Sequence, residues 1–515
     1  MNKRWIRQIV GMIGIMSVLL QFGCTRSASI AEPWRLAPDQ SSQTTQVPGL
    51  PAATPTVSGF QRRTPGAPVL TPTPDAPHAI PTARADPQQY VVQAQDTLGQ
   101  IASRYGVSLD TLVKANNIVD INRLEVGQTL VIPTPDPLAP GPGFKVIPDS
   151  ELVYGPGSAD FDLAGFIHQK NGYLNVYQED IDDRHYDGAG VVLRVAQEYS
   201  VNPRLLLAVL EYRSGWVTQA NPAQETLNYP MRYFDNNRAG LYRQMAWAAN
   251  NLNRGYYLWR VNAVTNWVLF DGSVVPPDPT INAGTAGVQQ FFALLMGLQD
   301  WQQAVSESGL FATYQQLFGY PFDYAFEPMI PADLQQPAMQ LPFEPGTTWS
   351  FTGGPHAGWA DGSAWAALDF APPGEALGCI PSDAWEVAVA DGIIIRADMG
   401  AVVEDLDGDG REQTGWTVLY MHVATQDRIQ PGTQVHAGDH IGHPSCEGGV
   451  STGTHLHLAR RYNGEWISAD GSIPFILDNW ISSGDKGVEY NGFLTKDGVT
   501  IEAWEGRRSE NAISR

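Results

Sequence analysis

Two histidines, His455 and His457, stand one residue apart behind the turn Ser451-Thr452-Gly453-Thr454. On a β-strand, side chains alternate between faces, so both imidazoles project from the same side. One can then bind a metal while its neighbour reaches whatever that metal holds. Three further polar residues lie upstream in short segments of similar character: Gly353-Gly354-Pro355-His356, Leu368-Asp369-Phe370 and Leu419-Tyr420-Met421-His422. A catalytic zinc needs three protein ligands and one open position. His356, Asp369 and His457 would give two imidazoles and a carboxylate, around an ion that acidifies its water and polarises a carbonyl. His422 and His455 are left for catalysis, one to take a proton and the other to steady an oxyanion or pass that proton on.

The segment that must position them, residues 341–505, reads as β-rich. Val/Ile/Trp runs at 385–390, 392–397 and 416–423 are separated by Gly, Asp and Pro. Strict alternation puts Trp416, Val418, Tyr420 and His422 on one face, so the histidine is expected to continue an apolar face. Cys379 and Cys446 flank the histidines, and in an oxidising compartment such a pair is expected to be bonded. Zinc ligation is their rival role, but the histidines already supply enough ligands. Asp405, Asp407 and Asp409, with Gly410 in the sixth place, space carboxylates as a calcium loop does, and Glu412 is a candidate fourth ligand. The twelfth place holds Trp416 rather than Glu, and a solvated acidic hairpin is the competing reading. His436, His440 and His443 are expected to be exposed turn histidines.

The four segments together resemble the lysostaphin and β-lytic zinc metallopeptidases, as does the hairpin Gln430-Pro431-Gly432-Thr433-Gln434-Val435-His436-Ala437-Gly438-Asp439-His440-Ile441-Gly442. The resemblance implies an antiparallel β groove, the duplicated hybrid motif. It also implies zinc on His356, Asp369 and His457, catalytic roles for His422 and His455, and cleavage of peptide bonds in peptidoglycan. In the lysostaphin branch the first histidine stands four residues before the Asp, where this chain has Trp365. In the β-lytic branch it follows Gly-Gly further upstream, as His356 does.

The remaining chain reads as several modules, which its 515 residues require. Lys3, Arg4 and Arg7 precede an apolar stretch and then Gly23-Cys24, the order of an export signal. Cys24 resembles a lipoprotein processing site, with an ordinary signal peptide or an uncleaved signal anchor as the alternatives, so the N-terminal signal or a lipid anchor would be the chain's one tie to a membrane. Residues 25–88 form a Pro/Thr-rich tether without hydrophobic period. Residues 89–133 carry a strand–helix–helix–strand pattern that resembles a LysM domain, including Asn116-Asn117 and the closing Gly127-Gln128-Thr129-Leu130-Val131-Ile132-Pro133; the resemblance implies binding to N-acetylglucosamine-containing glycans such as peptidoglycan. Residues 146–330 read as mostly α. There the run from Val201 to Trp216 is similar to the first motif of lysozyme-like lytic transglycosylases, with Arg213 where that family has its general-acid glutamate. Arginine cannot donate a proton at neutral pH, and Glu211 faces elsewhere on the helix.

A formal charge of −22 leaves no basic stripe for nucleic acid. The sequence thus predicts an extracytoplasmic multidomain protein: a βααβ LysM domain, a mostly α, lysozyme-like central domain and a mostly antiparallel β metallopeptidase domain. Its alternatives are a non-catalytic peptidoglycan-binding or hydrolase-regulating protein, and a glycosidase in the central region.

Overall fold

The computed structural model describes residues 77–515 apart from 82–83, 94–95, 375–376 and 486. The expected export signal, Cys24 and most of the expected tether lie outside the described residues. Among the described residues no helix is long and apolar enough to cross a membrane.

The first module pairs β1 (Gln88–Val91) antiparallel with β2 (Thr129–Ile132). Between them run α1 (Leu98–Arg104) and α2 (Leu109–Ala115). Thr97 and Gln100 bond reciprocally at the start of α1, a capping box. Ser108 accepts Thr111 N–H at the start of α2, as its residue type predicts. Leu98, Ile101, Leu112, Leu130 and Ile132 close a small core. The second strand begins only at Thr129, because Gly127 turns the chain at φ +87°. The tether also ends sooner than residue 88. His78 N–H donates to Pro279 O at 2.7 Å, and its ring stacks on Trp259 at 4.4 Å.

The central region contains α3 (Leu163–Lys170), a hairpin of β3 (Gln178–Ile181) and β4 (Arg184–Asp187), α4 (Gly188–Tyr199), α5 (Pro203–Ser214) and α6 (Leu241–Arg260). A short pair, β5 (Trp267–Val268) with β6 (Val274–Val275), precedes α7 (Ala283–Ala293), α8 (Leu298–Ala304) and α9 (Leu310–Phe318). Asn202 caps α5 ahead of Pro203, and Gly215 ends it in the left-handed conformation. Every residue from Leu205 to Leu210 is buried, so other helices surround α5. Trp216, Trp247, Tyr256, Tyr257, Trp259 and Trp267 are all buried in this core.

The last region is built on a nine-stranded antiparallel sheet. Its strands are β7 (Thr348–His356), β8 (Ala367–Ala371), β10 (Gly392–Asp398), β11 (Ala401–Asp405), β12 (Trp416–Met421), β13 (Gln434–Val435), β15 (Leu456–Tyr462), β16 (Glu465–Trp466) and β21 (Ala512–Ser514). The order is β13-β10-β11-β12-β15-β8-β7-β21, with β16 paired to β15. Beside it lie the pair β9 (Glu386–Val387) with β14 (His440–Gly442), and a sheet of β17 (Ile476–Leu477), β18 (Trp480–Asp485), β19 (Val488–Lys496) and β20 (Val499–Glu502). The edge strand β21 lies beyond residue 505, the end expected from sequence.

Alternation along the central strands gives the large sheet two buried faces. Val402, Val418, Tyr420, Leu458, Leu368 and Phe370 pack into one core. Ala401, Val403, Leu419, Met421, Ala459 and Ala367 face the other way and join the core of the helical region. The small alanines let the helices approach the sheet closely. Two regions that read as separate in sequence therefore share one continuous core.

Candidate metal centre

Asp369, His457 and Met421 lie opposite one another on β8, β15 and β12, in one row across the face that meets the helices. His455 shares the parity of His457 and stands just before β15. That part of the site follows directly from strand alternation.

His356 does not. The register of β7 against β8 slips twice, between Phe351 and Gly353 and again between Gly353 and His356. Each slip adds one residue to β7, and the second turns His356 onto the face of Asp369, where regular alternation from Gly353 would point it away. The two glycines here answer to crowding. A Cβ on Gly353 would lie 2.6 Å from Asp369 Oδ2, and one on Gly354 would lie 2.6 Å from the backbone N of Gly492.

His422 departs from expectation as well. Val418 and Tyr420 do share a face, but it is the face opposite the metal row. His422 sits at φ +70°, in the left-handed region. That twist carries its ring across to His455, 4.5 Å between centroids, and to His457 at 6.2 Å. A non-glycine residue held there is strained by about 1–3 kcal/mol, the kind of outlier that marks a functional position.

The three expected ligand atoms converge. His356 Nε2 lies 3.0 Å from His457 Nδ1 and 3.2 Å from Asp369 Oδ1, and His457 Nδ1 lies 3.3 Å from the same oxygen. Zinc bonds of about 2.0–2.1 Å in a tetrahedron place neighbouring ligand atoms about 3.3 Å apart. Asp369 Oδ1 is buried and has no hydrogen-bond partner, so the donor set fits a cation at that point.

Each of the four histidines spends one ring nitrogen on a backbone carbonyl. His356 Nδ1 meets Gly354 O at 2.8 Å, His422 Nδ1 meets Glu447 O at 3.1 Å, and His455 Nδ1 meets Gly453 O at 2.7 Å. His457 Nε2 meets Gly358 O at 3.1 Å. These bonds fix the tautomers, with the free nitrogen turned to the centre. Burial, reinforced by His455 and His457, pushes the His422 imidazole down to about 3, so it is neutral at neutral pH. Burial works against the Asp369 carboxylate, yet the charges of His356 and His455 beside it hold it well below its usual range. Burial also opposes charge on His356, but Asp369 outweighs it and the pKa rises. Burial lowers His457.

Sequence reading missed Tyr490. Its ring stacks on His356 at 4.3 Å, and the half-exposed residue reaches the site from the β18–β19 hairpin at φ +68°. Burial, then Asp369 and Glu489, push its phenol up to about 12, so it remains a hydrogen-bond donor. The close approach of Gly354 to Gly492 brings this hairpin in, and a lone Tyr in a distant strand gives no sequence signal of that.

Cys379 and Cys446 form a disulfide, 5.7 Å between Cα atoms, beside the loop whose Glu447 carbonyl orients His422. Asp405, Asp407 and Asp409 gather their carboxylates within 4.8 Å, and they accept backbone N–H groups of their own loop. Burial and neighbouring carboxylates push Asp405 up to about 8. Glu412 is not with them. Its buried carboxylate pairs with Arg461 at 2.8 Å and Arg396 at 3.2 Å, which corrects the expectation that it could complete a calcium site. Of the hairpin histidines, His436 and His440 are exposed, whereas His443 packs against Trp385 at 3.9 Å and is largely covered. In the helical region Arg213 Nε donates to Met231 O, and Glu211 accepts the N–H groups of Val217 and Thr218. Neither residue is part of the metal centre.

Three family profiles match this chain: the LysM domain at residues 90–133, the LasA N-terminal domain at 145–332 and Peptidase family M23 at 384–469. The last contains His422, His455 and His457 but stops short of His356 and Asp369. The chain is therefore homologous to LasA and to the M23 metallopeptidases, with a LysM domain in front.

Protease LasA of Pseudomonas aeruginosa strain UCBPP-PA14 is 26% identical over 352 residues, 63% of this chain and 75% of LasA. Among solved structures, the M23 metalloprotease pseudoalterin from the deep sea is 23% identical over 34% of this chain and 98% of its own, at a TM-score of 0.27. The catalytic domain of lysostaphin from Staphylococcus simulans is 23% identical over 24% of this chain and 89% of its own, at a TM-score of 0.18.

Proposed function

We propose that this chain is an exported zinc endopeptidase that hydrolyses peptide bonds of peptidoglycan while its LysM domain, residues 89–133, holds the glycan. The observation that carries the reading is the triangle of His356 Nε2, Asp369 Oδ1 and His457 Nδ1, with sides of 3.0–3.3 Å and an otherwise partnerless buried oxygen. A zinc ion held there supplies Lewis acidity and an acidified water at neutral pH. The protein's own groups do the rest. His422, neutral and fixed by Glu447 O, takes the proton from the attacking water. His455 presents Nε2 to the centre, 3.7 Å from Asp369 Oδ1, and serves the oxyanion or the leaving amine. Tyr490, stacked on His356, offers an O–H donor from the rim. The sheet region, 341–505 with β21 added, is read as the duplicated hybrid motif. Residues 146–330 are read as a lysozyme-like scaffold without glycosidase chemistry, since Arg213 stands at the acid position.

The test is digestion of purified peptidoglycan by the full chain, with new amino termini identified by mass spectrometry and zinc content measured in parallel. Stoichiometric zinc and chelator-sensitive cleavage, both lost in His457→Ala, are expected. Binding without new termini would make the chain a non-catalytic wall-binding or regulatory protein. Release of reducing or anhydro sugars that survives EDTA would move the activity to the central region.

A further inference from the structure

Three of the four imidazoles take their orienting carbonyl from nearby or disulfide-braced backbone: Gly354, Gly453 and the Glu447 loop. His457 takes its carbonyl from Gly358, 99 residues away, on the loop that leaves β7. That loop is closed on itself by Gly358 N→Ala364 O at 3.0 Å and Trp359 N→Ser363 Oγ at 2.9 Å. Its outer side rests on the helical region. Asn250 of α6 donates Nδ2 to Asp361 Oδ1 at 2.6 Å and accepts Gly362 N–H on Oδ1 at 2.9 Å. Arg254, one turn on, reaches Asp361 Oδ2 at 3.2 Å. The seat is close-fitting, since a Cβ on Gly362 would fall 2.0 Å from Asn250 O. Tyr199, at the end of α4, meets Trp359 edge-on at 6.4 Å.

The inner side leads to the same helix. Gly358 lies against the Trp466 indole, where a Cβ would sit 2.6 Å from Cε3. The backbone N–H of Trp466 in turn donates to the hydroxyl of Tyr257 on α6 at 3.0 Å. Both supports of the Gly358 carbonyl thus run back to α6.

We propose that the helical region is a working part of the metal centre, with Asn250, Arg254 and Tyr257 as positioning residues that hold the Gly358 carbonyl and through it the metal-facing nitrogen of His457. A carbonyl that drifts leaves the imidazole free to rotate or change tautomer, and metal affinity falls accordingly. This rests on the zinc reading above.

The measurement is zinc affinity of the full chain, by competition with a chromophoric chelator, alongside thermal melting of the metal-free chain. Asn250→Asp sets a second carboxylate against Asp361 and should weaken zinc about tenfold, the lower end of what lost outer partners cost. Exchanging the pair, Asn250→Asp with Asp361→Asn, reverses donor and acceptor, keeps a carboxylate for Arg254, and should return affinity to within about twofold of the original. Tyr257→Phe keeps the ring packing and should weaken zinc about threefold, less than multiplicatively with Asn250→Asp, because both act through Gly358.

Unchanged zinc affinity in both single variants overturns the proposal. So does an exchanged pair that melts normally yet stays weak. If Asn250→Asp lowers the melting of the metal-free chain, Tyr257→Phe decides. A wild-type chain that takes up no zinc sinks the hydrolase reading itself, whereas zinc uptake indifferent to α6 sinks only this inference.

Discussion

The middle of the sheet and its strand ends reach the same centre by different means. Asp369 and His457 arrive through the regular antiparallel ladder that joins β8, β15 and β12. His356 arrives only after two register slips in β7, and His422 only by a left-handed turn at the end of β12. A ladder fixes side-chain direction at almost no cost, because every neighbour repeats it. Bulges and positive φ aim a side chain off the pattern, store strain, and depend on the packing around them. The site therefore has a stiff floor and two adjustable walls.

Removing a ligand from the ladder should do most damage. His457→Ala is expected to abolish both zinc binding and cleavage, with the fold kept, as read by metal analysis and circular dichroism. His422→Ala should separate the wall from the floor: zinc stays bound while kcat falls about 10²–10⁴-fold, the usual worth of a general base. A variant that also loses zinc would show that the left-handed turn serves the metal rather than the proton. Gly354→Ala tests the other wall, since its Cβ must displace the Gly492 backbone and with it the Tyr490 hairpin. A fall of about tenfold in kcat/KM, with zinc affinity nearly unchanged, is expected from a displaced hydrogen-bond donor.

The smallest effect concerns the reverse face of β12. Burial pushes the Glu404 carboxyl, which accepts the Tyr420 O–H, up to about 8. Its folded pKa lies above the unfolded one, so its contribution is complete below the ordinary carboxylate range and is lost as pH rises through about 8. Thermal melting should fall across that window, and Glu404→Gln should flatten the decline. An unchanged slope would move the effect to another buried acid.

Reading along the chain reveals the floor of this site and not its walls. His455 and His457 are legible as a pair because period-two alternation is local, and Asp369 is legible as a carboxylate in a short apolar strand. Thr97, Ser108, Asn202 and Pro203 announce helix starts for the same local reason. His356 is found in sequence through its Gly-Gly context, although alternation counted along β7 turns it the wrong way. The expected common face of Tyr420 and His422 failed because one φ angle changes sign between them, and no residue type signals that.

Residue types and their short-range spacing determined the modules, the helix caps and the metal chemistry open to this chain, since each depends on a few neighbouring bonds. Tertiary structure alone decided that Glu412 serves two arginines, that Tyr490 lies over His356, and that α6 stands behind the carbonyl of Gly358. Those contacts join residues far apart in sequence, and they form only where two packed surfaces leave room for one another.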